Sequence, residues 1–233
     1  MVCWLKEVSN ENMKKIIYKN KYIPLELVNE VREYFDIIND SLSHSRGPRP
    51  NTKMKLGWMG CWDRNLHYEK LDNPIHKIVS KLKNDFGNFV IEESSIRYLS
   101  APFIAHSDVK STNSLQTARD NGYKEGLVFL IPLWWKDEHV PGTAFFNSPP
   151  NLNEPLYDEM ADILPKYSDE FKEDARNFSV REIVKWQSPG DLIAWENFQW
   201  HSSCQFGNVE YSKDTWVKEF ISIETWTTME NNK

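Results

Sequence analysis

Tyr98-Leu-Ser-Ala-Pro-Phe-Ile-Ala-His106-Ser-Asp108 ends in an imidazole and a carboxylate two residues apart. In extended chain the side chains repeat every second residue, so His106 and Asp108 point the same way. On a helix they would sit about 200° apart and could not easily share one ligand. Leu99, Phe103 and Ile104 surround an Ala-Pro step, which reads as a strand running into a turn or loop. The pair is therefore placed to act together, provided the rest of the chain supplies a third donor and a scaffold.

The chain around it has 233 residues, enough for one large core. Hydrophobic residues make up 40% and charged residues 27%, the balance of a globular protein rather than a disordered one. Ten Trp, 9 Tyr and 12 Phe, many in strand-like runs, favour a substantial β core. The formal charge of −6, with no dense basic cluster, argues against duplex nucleic acid as a partner. Cys3, Cys61 and Cys204 are odd in number and widely spaced, which fits neither a disulfide framework nor a zinc-finger pattern. The Met1-Val-Cys-Trp start has no long apolar stretch, and no run approaches 18 apolar residues. Neither a secretory signal nor a membrane span is expected, and a cytoplasmic setting is the simplest expectation.

Period-3.6 stripes predict two helices. One opens at Pro24 and runs to about Leu42, with Leu27, Val28, Val31, Tyr34, Phe35, Ile38 and Leu42 on one face. The other spans roughly 74–86, with Ile75, Ile78, Val79, Leu82 and Phe86 buried and Asp72 or Asn73 as its cap. Between them, residues 43–55 read as a loop carrying Arg46, Arg49, Lys53 and Lys55 without an acid. Ahead of them, Ile16, Ile17, Tyr18, Tyr22 and Ile23 suit short strands or a helical turn.

After residue 89 the pattern turns extended. Gly126-Leu-Val-Phe-Leu-Ile-Pro-Leu-Trp-Trp135 is the strongest strand, and its continuous apolar character implies a central position. Val180–Gln187 and Leu192–Trp195 are strands joined by Ser188-Pro-Gly-Asp191, a type II turn signature. His201–Phe206 and Trp216–Trp226 follow. Residues 148–178, rich in acids, read as a surface insertion too short for its own core. The chain is expected to be one domain over 1–233, with a helical support region at 1–95 and a barrel core at 96–226.

Of the six histidines, His201 alone follows a Gly-Asp turn and a strand and opens another strand. In a closed antiparallel barrel, residues distant in sequence face one another across the interior. Two imidazoles and one carboxylate would then present three donors on one side of an octahedral iron(II), with positions left open.

These features together resemble the iron(II)- and 2-oxoglutarate-dependent dioxygenases, in their prolyl-hydroxylase-like branch. The resemblance runs from about Arg97 to Trp226. It is carried by His106-Ser-Asp108 eight residues after Tyr98, by Gly126-Leu-Val-Phe-Leu-Ile-Pro-Leu, by Pro141-Gly-Thr-Ala-Phe-Phe, by Pro189-Gly-Asp-Leu-Ile-Ala-Trp before Trp200-His201, and by Lys218-Glu-Phe-Ile-Ser-Ile. It implies a mainly β fold with flanking helices around a double-stranded β-helix, the jelly-roll or cupin-like barrel. It implies His106, Asp108 and His201 as iron ligands, and iron(II), 2-oxoglutarate and O₂ as cofactor and cosubstrates. Lys218 takes the place of the basic residue that binds the far carboxylate of 2-oxoglutarate. Lys213 competes with it, but Lys218 shares strand parity with Phe220 and Ser222. Tyr98 would add its hydroxyl to the same carboxylate. Trp134, Trp135 and Trp200 are candidate lining residues, as are Arg97 and Asn197. The implied activity is hydroxylation of a C–H bond on a small-molecule or peptide substrate, with 2-oxoglutarate decarboxylated to succinate. A cupin-like metal-dependent isomerase or hydrolase and a non-catalytic jelly-roll binding module are the alternatives.

Overall fold

A computed structural model describes residues 15–38, 44–45, 58–62, 73–99, 108, 120–124, 126–136, 140–146, 180–206 and 218–228. Its elements run β1 (Ile17–Lys19), α1 (Leu25–Ile38), β2 (His44–Ser45), β3 (Trp58–Trp62), α2 (Pro74–Phe86), β4 (Val90–Leu99), β5 (Tyr123–Lys124), β6 (Leu127–Trp135), β7 (Val140–Phe146), β8 (Val180–Lys185), β9 (Leu192–Glu196), β10 (His201–Phe206) and β11 (Lys218–Thr228). The expected insertion at 148–178 lies outside the described residues, as does Lys213.

The strands form two separate sheets. An eight-stranded sheet has the order β1-β9-β6-β11-β4-β3-β2, with β5 paired to β11, and a three-stranded sheet has the order β10-β7-β8. All the pairings are antiparallel. The closed double-stranded β-helix barrel expected from the sequence is thereby corrected. The chain is a mixed α/β protein whose described strands build two sheets, neither closed on itself. Closure would need the terminal strands to share ladders. Here β1 and β2 end the large sheet, β10 and β8 end the small one, and among the described residues no ladder joins them.

Period two on the central strands explains how each face of the large sheet is covered. Phe129, Ile131 and Leu133 of β6 and Ile221 and Ile223 of β11 pack with Val28 and Val31 of α1 and Ile75, Ile78, Val79 and Leu82 of α2. The alternate residues, Val128 and Leu130 of β6, Ile193 and Trp195 of β9 and Phe220 of β11, meet Phe145, Val184 and Trp186 in a second apolar layer. That second layer joins the two sheets, and His201 and Lys218 lie against it. Full burial of side chains of this size contributes about 1.5–3 kcal/mol each.

Local chemistry fixes the ends of α2. Asn73 Oδ1 accepts the Ile75 N–H at 2.8 Å, Pro74 occupies the first turn, and Gly87 ends the helix with φ +84°. The Pro189-Gly190 turn is equally specific. Gly190 has φ +83°, and the Asp191 N–H reaches the Ser188 carbonyl at 3.1 Å. A Cβ at Gly190 would lie 2.2 Å from the Ile23 carbonyl oxygen, so the turn requires glycine twice over. The Gly190 N–H also donates to the Pro132 carbonyl at 2.8 Å, and its carbonyl accepts the Ile23 N–H at 2.8 Å. The turn thus locks the segment before α1 against β6.

Candidate functional site

Asp191 is fully buried at the base of the strand that leads toward His201. Its carboxylate accepts the Tyr18 hydroxyl at 2.7 Å, the Lys21 N–H at 2.8 Å, and the Gln187 and Ser188 N–H groups at 2.9 Å each. Asn20 adds an amide donor at 3.1 Å. A buried carboxylate is tolerated when hydrogen bonds replace its hydration. From this anchor β9 runs to Trp195, a turn closes through Gln199 N–H to the Glu196 carbonyl at 2.8 Å, and His201 opens β10 opposite Phe145.

His201 is buried and held on three sides. Its ring centroid lies 4.6 Å from that of Trp195 and 6.4 Å from that of Phe145. Its Nδ1 is 2.9 Å from the Gln199 carbonyl oxygen. A carbonyl can only accept, so Nδ1 carries the hydrogen, and in the neutral ring Nε2 carries a lone pair. That Nε2 stands 3.7 Å from Asp108 Oδ2, with both side chains more than nine-tenths buried. The separation exceeds hydrogen-bond reach. Two buried Lewis bases facing each other across such a gap suit a cation held by both. Two members of the expected ligand set are thus brought together. His106 lies outside the described residues, and among the described residues no group of three His, Cys, Asp or Glu gathers. The donor chemistry of His201 and Asp108 fits iron(II). Beside them, Trp195 Nε1 is a buried donor with no hydrogen-bond partner among the described residues.

Lys218 opens β11, opposite Leu99 of β4 and Trp135 of β6, and is 1% exposed. Its phase is that of Phe220, which belongs to the layer between the sheets. The Lys218 Nζ lies 5.0 Å from the centroid of the Trp186 ring. Trp186 in turn meets Trp135 edge-on at 6.2 Å and Phe220 at 5.7 Å, and donates Nε1–H to Thr143 Oγ1 at 3.2 Å. A buried ammonium on an aromatic floor is stabilised by the ring quadrupole. The floor was not foreseen from the sequence, although Val184 and Trp186 share strand parity and could have signalled it.

Tyr98 pairs in register with Glu219, one residue out of phase with Lys218. Glu219 accepts from Arg32 Nε of α1 at 2.8 Å, and Arg32 also lies 5.8 Å from the Trp134 ring. The neighbour in phase with Lys218 is Arg97, opposite Phe220. Its guanidinium is already engaged: Nε donates to Ser95 Oγ at 2.9 Å, and Nη2 lies 3.4 Å from Glu224 and 3.5 Å from Glu93. Asn197 ties the far end of the sheet, donating its N–H to Gly126 O at 3.2 Å and its side chain to Thr225 O at 3.3 Å.

No protein-family model matches the chain, and no curated protein matches it. Solved structures do. The non-heme alpha ketoglutarate dependent carbocyclase SnoK from nogalamycin biosynthesis aligns with TM-score 0.51 at 10% identity, covering 92% of this chain and 80% of that one. The epimerase SnoN from the same biosynthesis aligns with TM-score 0.52 at 12% identity over 92% of this chain and 77% of that one. SnoN in complex with Fe3+, alpha ketoglutarate and nogalamycin RO gives TM-score 0.51 at 10% identity, covering 92% and 79%. The chain therefore shares its fold with non-heme alpha ketoglutarate dependent enzymes, and at these identities the likeness selects no branch among them. Among the described residues no helix is long and apolar enough to cross a membrane.

Proposed function

We propose that the chain is an iron(II)- and 2-oxoglutarate-dependent oxygenase acting on a small-molecule or peptide substrate. The observation that carries this is the facing pair of His201 Nε2 and Asp108 Oδ2, 3.7 Å apart and buried, in a fold shared with alpha ketoglutarate dependent enzymes. His201, Asp108 and His106 would hold the iron, which together with 2-oxoglutarate and O₂ as the oxidant would supply the oxidising power for attack on an unactivated C–H bond.

The chain's own residues do the rest. The Gln199 carbonyl takes the Nδ1–H of His201, so the neutral ring presents its Nε2 lone pair toward Asp108. Asp108 supplies a hard, anionic oxygen. Lys218 receives the far carboxylate of 2-oxoglutarate in a water-poor layer, where opposite charges attract more strongly than in bulk. Phe145, Trp195 and Trp186 exclude water and fix orientations. Hydroxylation is the proposed outcome.

The test is metal stoichiometry. Equilibrium dialysis against iron(II) under anaerobic conditions, followed by elemental analysis, should find one ion per wild-type chain. Asp108→Ala and His201→Ala should each lose it while keeping their circular dichroism. Equal loading of wild type and both variants would overturn the assignment.

A further inference from the structure

Gln199 is nearly fully buried, and both ends of its side-chain amide are hydrogen-bonded. Nε2 donates to the Phe146 carbonyl at 2.6 Å and to the Trp200 carbonyl at 2.9 Å. Both acceptors are carbonyls, so the nitrogen must face them and Oε1 must face the other way. There Oε1 accepts Arg181 Nη1 at 2.8 Å. One side chain therefore links the end of β7, the start of β10 and, through Arg181, strand β8. The backbone of the same residue accepts the Nδ1–H of His201.

We infer that Gln199, braced by Arg181, is a positioning residue for His201. It fixes the Nδ1–H tautomer and so aims the Nε2 lone pair at Asp108. The physical step is short. Without the side-chain clamp, the 196–200 turn keeps the Gln199 N–H bond to the Glu196 carbonyl, the Phe146 N–H bond to the Trp200 carbonyl and the Asn197 bonds to Gly126 and Thr225, but loses the tie that the Gln199 amide makes to β7 and to Arg181. The Gln199 carbonyl is then less constrained, and the imidazole gains access to its second tautomer, which places a hydrogen on the nitrogen that faces Asp108. Gln199→Glu is the sharpest variant. It keeps the size but replaces the two donors with an acceptor opposed to two carbonyls.

The metal readout rests on the function proposed above, whereas the tautomer readout does not. In metal-free protein, ¹⁵N spectra of the His201 ring should show a single Nδ1–H form in wild type and a mixture in Gln199→Glu. Iron(II) or cobalt(II) affinity should fall about 10–100-fold in Gln199→Glu, as for other partners that orient metal ligands. Arg181→Met should fall in the same direction by less, and Arg181→Lys should recover part of that loss. An unchanged tautomer in folded Gln199→Glu overturns the inference. If that variant does not fold, an unchanged tautomer in Arg181→Met overturns it. A wild type that binds no metal but loses its single tautomer in the variants would sink the proposed function and leave the positioning role standing.

Discussion

The ammonium of Lys218 lies 5.0 Å from the centre of the Trp186 indole, and both residues are buried between the sheets. In the proposed site this charge receives the far carboxylate of 2-oxoglutarate. Truncating one partner of a buried charge pair costs about 2–5 kcal/mol. Lys218→Ala should therefore weaken 2-oxoglutarate binding to the iron-loaded protein by about 30-fold or more, and leave iron(II) binding nearly unchanged. Calorimetric titration of 2-oxoglutarate checks this. An unchanged affinity would move the role to Lys213.

Asp191 accepts the backbone N–H groups of Gln187 and Ser188 nearby and a third from Lys21, across 170 positions of sequence. Asp191→Ala removes every acceptor at once and leaves buried donors without partners. The cost should exceed about 3 kcal/mol, since each unsatisfied buried group costs about 1–3 kcal/mol. Urea unfolding should show a clearly lowered midpoint. A midpoint within error of wild type would mean that water replaces the carboxylate fully.

Tyr18 donates its hydroxyl to the same carboxylate. Burial first, and then the Asp191 charge and hydrogen bond, push its phenol up from the ordinary 10.0 to about 12, against an opposing hydrogen bond from Asn20. The folded chain thus holds this proton more tightly than the unfolded chain. The contribution is intact below about pH 10 and is lost as pH rises through about 12. Tyr22 is raised as well, by burial and by Asp85, so both phenols feed the alkaline limb. Stability measured by urea unfolding should decline over this window, and Tyr18→Phe should flatten part of the decline. An identical alkaline limb in Tyr18→Phe would remove Tyr18 from the account.

Local chemistry was legible in the sequence. The α2 stripe and its Asn73-Pro74 start give a helix over the expected 74–86, and the Pro189-Gly190 signature gives the expected turn. The apolar run over 126–135 is a central strand, and the parity of Lys218 with Phe220 is seen in the fold. What failed was the closure of the barrel. Period two tells which face a residue occupies but not which distant strand it pairs with. Nothing local in Ile17–Lys19 announces its pairing with Leu192–Ala194 at the edge of an eight-stranded sheet. For the same reason the phase of Tyr98 against Lys218 emerged only from the β4–β11 register. The role of Asp191 was hidden too, because a carboxylate after Pro-Gly reads as a turn former, while three of its donors come from residues 18–21.

The central claim is that His201 and Asp108, with His106, hold an iron(II) that 2-oxoglutarate then joins. Anaerobic addition of iron(II) and 2-oxoglutarate to the purified protein, followed in the visible range, tests it most directly. A weak charge-transfer band should appear with wild type and be absent from His106→Ala, Asp108→Ala and His201→Ala. A folded wild-type protein that develops no band under saturating iron(II) and 2-oxoglutarate would contradict the account.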